Sequence, residues 1–182
     1  SPILCRPFEL GVDVSVQAGT KYIVGHSDVM LGTITTATEE DLLTIKKQVL
    51  ISGDAVGPDD CYLAQRGLRT LAVRLKQHHE SGLKVANWLQ TRPEVKRVLH
   101  PGLPDDPGHA IWKRDFSGAC GLFSFVMQPV EKAQLANMVD NMELFGMGFS
   151  WGGFESLILP SDPAKIRTAT KWDDDGQLVR LH

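Results

Sequence analysis

Residues 11–17 alternate Val12, Val14 and Val16 with Asp13, Ser15 and Gln17, a period of two that predicts a half-buried β-strand. Ala18-Gly19 breaks the alternation and leaves Thr20 and Lys21 where the chain turns. A second strand-like stretch covers 29–36, after the polar Gly25-His26-Ser27-Asp28. Residues 39–49 read as a helix. It is acidic at its start, has Leu42, Leu43, Ile45 and Val49 as its apolar positions, and places Lys46-Lys47 near its end, in keeping with the helix macrodipole. A Gly/Pro-containing connection over 53–60 follows. Beyond it Leu68, Leu71, Ala72, Leu75, His79, Gly82, Leu83, Ala86 and Leu89 recur at steps of three and four, predicting one long helix over 61–89 that Pro93 ends.

The rest of the chain alternates short elements. A strand is expected over 95–99, a Pro/Gly loop over 100–109, a strand over 121–127, an amphipathic helix over 131–142 and a strand over 177–181. Strands and helices joined by short connections favour a small sheet with helices packed on it. The expected division falls near the start of the long helix: residues 1–65 close one α/β domain, and residues 66–182 form a smaller α+β domain. The chain opens on Ser1-Pro2 and stops inside the last strand-like stretch, so both ends read as cut and the chain as a fragment.

Composition narrows the function classes. A formal net charge of -3 gives no reason to expect nucleic-acid or membrane-surface binding. No apolar run approaches the roughly 20 residues that cross a bilayer. Cys5, Cys61 and Cys120 are odd in number, far apart and outside any zinc spacing, which favours a reducing, cytoplasmic setting and small apolar roles for the thiols. His78 and His79 are neighbours on the expected helix and point about 100° apart, so they cannot share a metal and read as structural.

A few residues could carry chemistry. Lys21 follows the first strand and is preceded by small residues that would let a bulky ligand approach. A lysine reacts as a nucleophile only when neutral, and an exposed charge at a strand end is the competing reading. Thr20 offers a hydroxyl to a phosphate oxygen. Arg180 shares a strand face with Leu178, and its guanidinium fork suits a carboxylate or a structural pairing. Ser150-Trp151-Gly152-Gly153 reads as an aromatic pocket wall or as a turn around a core tryptophan. His26 and Asp28 are open to acid/base or turn-stabilising roles. No GxGxxG, Walker loop, GxSxG or HExxH is present.

Several motifs in order resemble the Cys/Met-metabolism family of pyridoxal-phosphate enzymes, over essentially the whole chain. They are Asp13-Val14-Ser15-Val16-Gln17-Ala18-Gly19-Thr20-Lys21-Tyr22, Gly25-His26-Ser27-Asp28, Arg66-Gly67-Leu68-Arg69-Thr70-Leu71 and His100-Pro101-Gly102-Leu103-Pro104. Trp112-Lys113-Arg114-Asp115-Phe116, Ser150-Trp151-Gly152-Gly153-Phe154-Glu155-Ser156-Leu157 and Arg180-Leu181-His182 complete the series. The resemblance implies fold type I, the aspartate-aminotransferase-like α/β fold: the end of its large cofactor-binding domain, then a smaller C-terminal α+β domain incomplete at its end.

The same resemblance implies pyridoxal 5'-phosphate as cofactor, carried by Lys21 as a Schiff base, with Thr20 on the phosphate. Arg180 binds the substrate α-carboxylate, the Ser150-Trp151 backbone completes that pocket, and Ser150 orients the Lys21 amine. Lys21 takes the Cα proton and later protonates the departing sulfur. Trp151 favours the cystathionine β-lyase branch, which yields homocysteine, pyruvate and ammonia, over γ-synthases and γ-lyases. Ala18 stands where many relatives place a serine on the phosphate, so no contact is assigned to it. A small amino-acid substrate and a homotetramer built as a dimer of dimers are further implications. So is an N-terminal half that would supply the rest of the cofactor site, without which the chain would be an inactive fragment.

Overall fold

The computed structural model describes residues 3–182; Ser1-Pro2, where the chain reads as cut, lies outside the described residues. Strand β1 (Val14–Ala18) pairs antiparallel with β2 (Gly32–Thr36), Val14 opposite Thr36 and Ala18 opposite Gly32. The residues between them form the turn that carries Lys21. Helix α1 (Glu39–Ser52) starts where the Thr38 hydroxyl accepts from the Asp41 amide at 3.1 Å, and it stops at left-handed Gly53. It continues past Lys46-Lys47, which therefore sit in its middle and not in its last turn.

The alternation in β1 marks a strand, but the burial is the reverse of that expected from its valines. Ser15 and Gln17 are half-buried, while Val14 and Val16 are exposed, Val16 by 71%. Helix α1 likewise buries none of its residues. Periodicity identifies a two-faced element, whereas a second layer decides which face is covered, and no described residue covers this one.

The long helix of the sequence is two helices, α2 (Pro58–Leu68) and α3 (Leu71–Gln90), broken at Arg69-Thr70. The break has a local cause. The Gly67 carbonyl accepts from the Thr70 amide and hydroxyl, both at 3.2 Å, and from Arg74 Nη2 at 2.8 Å, instead of from an amide four residues on. Gly67 also lies directly on the Ile23 and Val24 carbonyls, where a Cβ has no room. Leu71, Leu75, Gly82, Ala86 and Leu89 form the buried stripe of α3, while Leu68 and Ala72, both expected on it, are exposed.

After α3 the chain builds a five-stranded sheet from β3 (Val95–Leu99), β4 (Phe123–Met127), β5 (Gly146–Met147), β6 (Leu157–Ser161) and β7 (Leu178–Leu181), in the order β3-β4-β7-β6-β5. All neighbours are antiparallel except β5 and β6. Helices α4 (His109–Asp115) and α5 (Lys132–Asp140) complete the order. Ala86, Leu89, Leu103, Phe123, Phe125, Ile158, Val179 and Leu181 form one core between the sheet and its helices. β7 lies in the middle of the sheet, with Val179 and Leu181 in that core and Arg180 on the opposite face, so the alternation read for this strand holds. No helix among the described residues is long and apolar enough to cross a membrane.

Candidate functional site

Lys21 sits in a tight turn between β1 and β2. The turn is closed by backbone bonds from Lys21 N to Ala18 O, Val24 N to Gly19 O and Gly25 N to Lys21 O, and by Thr20 N to Leu31 O. Beneath it, Arg74 Nη2 donates to the Tyr22 carbonyl at 2.9 Å. Gly25, at φ 74°, is in contact with the Arg74 guanidinium, where a Cβ would clash. Residues 150–155 lie over the turn. Gly152, at φ 81°, is so close that a Cβ would come to 2.8 Å from both Lys21 C and Tyr22 N. Gly152 thus lets the loop backbone rest on the Lys21-Tyr22 peptide, while Gly153 makes room for the Ser27 and Glu155 side chains.

Those groups converge. Lys21 Nζ donates to Ser150 Oγ at 3.1 Å and stands 4.3 Å from the Trp151 ring centroid, a cation–π distance. The Arg180 guanidinium carbon lies 5.5 Å from the same ring. Arg180 Nη2 donates to the carbonyls of Gly148, Phe149 and Ser150 at 3.1, 2.8 and 3.3 Å, which fixes the arginine on the strand while no described residue accepts from its Nε or Nη1. Burial pulls its pKa down. Four residues from three distant parts of the chain therefore meet around one indole: Lys21, Ser150, Trp151 and Arg180.

Thr20 is placed differently. Its hydroxyl donates to Leu31 O at 3.2 Å and accepts from Leu31 N at 2.7 Å, so a bond to phosphate would have to take the proton now given to the Leu31 carbonyl. His26 Nδ1 is 2.7 Å from Val24 O, a turn contact, and Asp28 faces Arg66 at 3.8 Å. His79 accepts from Ala119 N at 2.9 Å, a structural role. A cavity of about 220 Å³, lined by His78, Gly82, Phe123, Glu155, Leu181 and His182, includes neither Lys21 nor Arg180.

Sequence reasoning passed over the supports of this face. His182 Nε2 accepts from Gly152 N at 2.9 Å and lies 3.1 Å from the Tyr22 hydroxyl, which accepts from Gly121 N at 3.2 Å. Ser27, at φ 59°, donates to Glu155 Oε2 at 2.6 Å. The only signal available was position: Tyr22, Ser27, Gly152, Glu155 and His182 each lie inside a quoted motif, whereas Gly121 lies in none.

Burial, with His78 and Arg180 nearby, pushes the His182 pKa down from 6.5 to about 4, and burial lowers those of His78 and His100 as well. The unfolded chain thus binds more protons than the folded one between pH 6.5 and 4. Stability is full above that window and falls as the pH drops through it, His182 alone contributing about 1–2 kcal/mol after solvent screening. The urea midpoint should fall between pH 7 and 4.5; an unchanged midpoint would contradict the assignment. Asp174, held to about 2 by Lys96, acts only below this range.

An amine held by a hydroxyl and an indole, with no described carboxylate paired to it, fits a lysine that must react with a cofactor carbonyl. Cystathionine beta-lyase MetC of Escherichia coli is 50% identical over 99% of this chain and 46% of its own length. Cystathionine gamma synthase of Xanthomonas oryzae pv. oryzae superposes with a TM-score of 0.87 at 34% identity, and cystathionine gamma-lyase of Lactobacillus plantarum with 0.85 at 31%. Each structure is matched by the whole of this chain over 48% of its own. The chain thus spans about half the length of the curated relatives it matches, and it shares with these structures the expected fold type I architecture of pyridoxal-phosphate enzymes. The Cys/Met metabolism PLP-dependent enzyme family matches residues 1–182, and the chain belongs to that family.

Proposed function

We propose that this chain is the lysine- and arginine-bearing part of a carbon–sulfur lyase that splits L-cystathionine into homocysteine, pyruvate and ammonia. The observation that carries the reading is the meeting of Lys21, Ser150 and Arg180 around Trp151. Arg180, anchored through Nη2, holds the substrate α-carboxylate with its other nitrogens. Ser150 Oγ holds the Lys21 amine over the indole, from where Nζ takes the Cα proton and passes it to the departing sulfur as the Cβ–S bond breaks. The chemistry that bound pyridoxal phosphate would supply here is that of an electron sink for the substrate Cα. Lys21 and Thr20 are the residues here that would hold it.

We take residues 1–65 as the end of the large domain and 66–182 as the smaller one, a boundary inside α2. A cytoplasmic homotetramer belongs to the same reading. The γ-synthase and γ-lyase relatives define the alternative reaction, and Trp151 is the reason to prefer β-elimination. Incubating the full-length protein with cofactor and L-cystathionine tests the choice. Pyruvate and homocysteine in equal amounts are expected; a longer 2-oxo acid with cysteine would overturn the β-lyase reading.

A further inference from the structure

We propose that His182 is a positioning residue for the Lys21 site: one imidazole nitrogen, shared between the Gly152 amide and the Tyr22 hydroxyl, sets the distance between Lys21 and the Trp151 turn. The proposal rests on the reading of Lys21 as the reactive amine.

The contacts form a closed circuit. Lys21 is followed by Tyr22, whose hydroxyl lies 3.1 Å from His182 Nε2. The same nitrogen accepts from Gly152 N at 2.9 Å, Gly152 is preceded by Trp151 and Ser150, and Ser150 Oγ returns to Lys21 Nζ at 3.1 Å. An amide N–H aimed at Nε2 requires a lone pair there. The imidazole proton therefore sits on Nδ1, which lies 3.4 Å from Glu155 O. Glu155 in turn is held by Ser27, beyond the Lys21 turn, so the two segments are tied at both ends.

The packing leaves the ring little freedom. His182, His78 and Tyr22 meet edge to face, with centroids 5.2 to 5.8 Å apart. The groups facing His182 are Tyr22, His78, Arg180 and the Glu155 carboxylate, and the depressed pKa keeps the ring neutral at working pH. His182 also pairs with Leu157 by two backbone bonds, 2.8 and 2.9 Å, next to Leu181 of β7. The central strand of the sheet thus carries Arg180, and the residue that follows its end places Lys21 relative to it. Because reacting atoms tolerate little misplacement, loss of the shared acceptor should act on the chemical step more than on substrate capture.

The test compares His182→Leu, His182→Gln and Tyr22→Phe in the full-length protein. Leucine removes the acceptor; glutamine supplies a carbonyl oxygen in its place. In the holoenzyme His182→Leu should lower kcat about 10- to 100-fold with KM changed less than about threefold, and move the pH dependence of the cofactor's visible absorbance. His182→Gln should recover most of both, and Tyr22→Phe should show a smaller effect of the same kind. In cofactor-free protein, hydrogen exchange of residues 19–25 and 150–155 should quicken about tenfold in His182→Leu and return in His182→Gln. Unchanged kcat and exchange in a folded His182→Leu variant would overturn the proposal, as would His182→Gln failing as badly as leucine. If instead the wild type shows no lysine-bound absorbance, the reading of Lys21 fails by itself, and the exchange measurement still decides whether His182 ties the two segments.

Discussion

Replacing Lys21 with alanine should abolish the visible absorbance of lysine-bound pyridoxal phosphate in the full-length protein and lower kcat at least about 10³-fold. The size follows from the number of tasks on one atom. On the proposed function, Nζ serves as the carbonyl-reactive amine, the base at Cα and the acid at sulfur, and among the described residues no other amine lies within reach of Ser150 Oγ and the Trp151 ring. Arg180, the other cation on that ring, is committed to three carbonyls. Lys21→Arg separates chemistry from charge: it keeps a cation over the indole but cannot form the lysine Schiff base, so it should bind cofactor more weakly and lack the lysine-aldimine band. A Lys21→Ala protein that keeps the lysine-aldimine band would remove Lys21 from the site.

Gly152→Ala should be the most damaging glycine substitution in the 150–155 loop, costing about 2–5 kcal/mol of stability and most of the activity. Two effects add. At φ 81° an alanine is strained wherever it sits, and its Cβ would meet Lys21 C and Tyr22 N at 2.8 Å, backbone atoms that cannot turn aside. Gly153→Ala is the informative contrast. Its Cβ runs into Ser27 Oγ and Glu155 Oε2, the ends of side chains that can rotate, so the expected cost is the Ser27–Glu155 hydrogen bond, about 1 kcal/mol. Urea denaturation of the two variants side by side checks the ordering. Equal losses would mean that the Trp151 turn does not press on the Lys21 peptide.

Both predictions rest on neighbours that no local pattern announces. Lys21 was visible from the sequence as a lysine after small residues, a description that fits many surface lysines. Its partners raised it above them, and they come from about 130 residues further along the chain. The resemblance supplied Ser150, Trp151 and Arg180 as a set, and the structure brings them together around one ring. Thr20 shows the limit of motif reading. Its presence beside Lys21 was legible, but its use of the Leu31 backbone was not, because that bond is created by the return of β2 alongside β1.

What the sequence by itself determined is whatever depends on neighbours in the chain. The periods of two and three to four located β1, β3, β4, β7, α1 and α5 within a few residues, since backbone propensity and side-chain alternation are local properties. It did not reveal β6, whose Pro160 weakens a strand signal, nor the break at Arg69-Thr70, which is made when Arg74 takes the Gly67 carbonyl. Tertiary structure alone decided which face of β1 is covered, where the Thr20 hydroxyl points, and that a single imidazole holds Tyr22 and Gly152 together. Each of these depends on a surface brought from elsewhere in the chain, and burial, hydrogen-bond choice and pKa are set by what faces a group rather than by what precedes it.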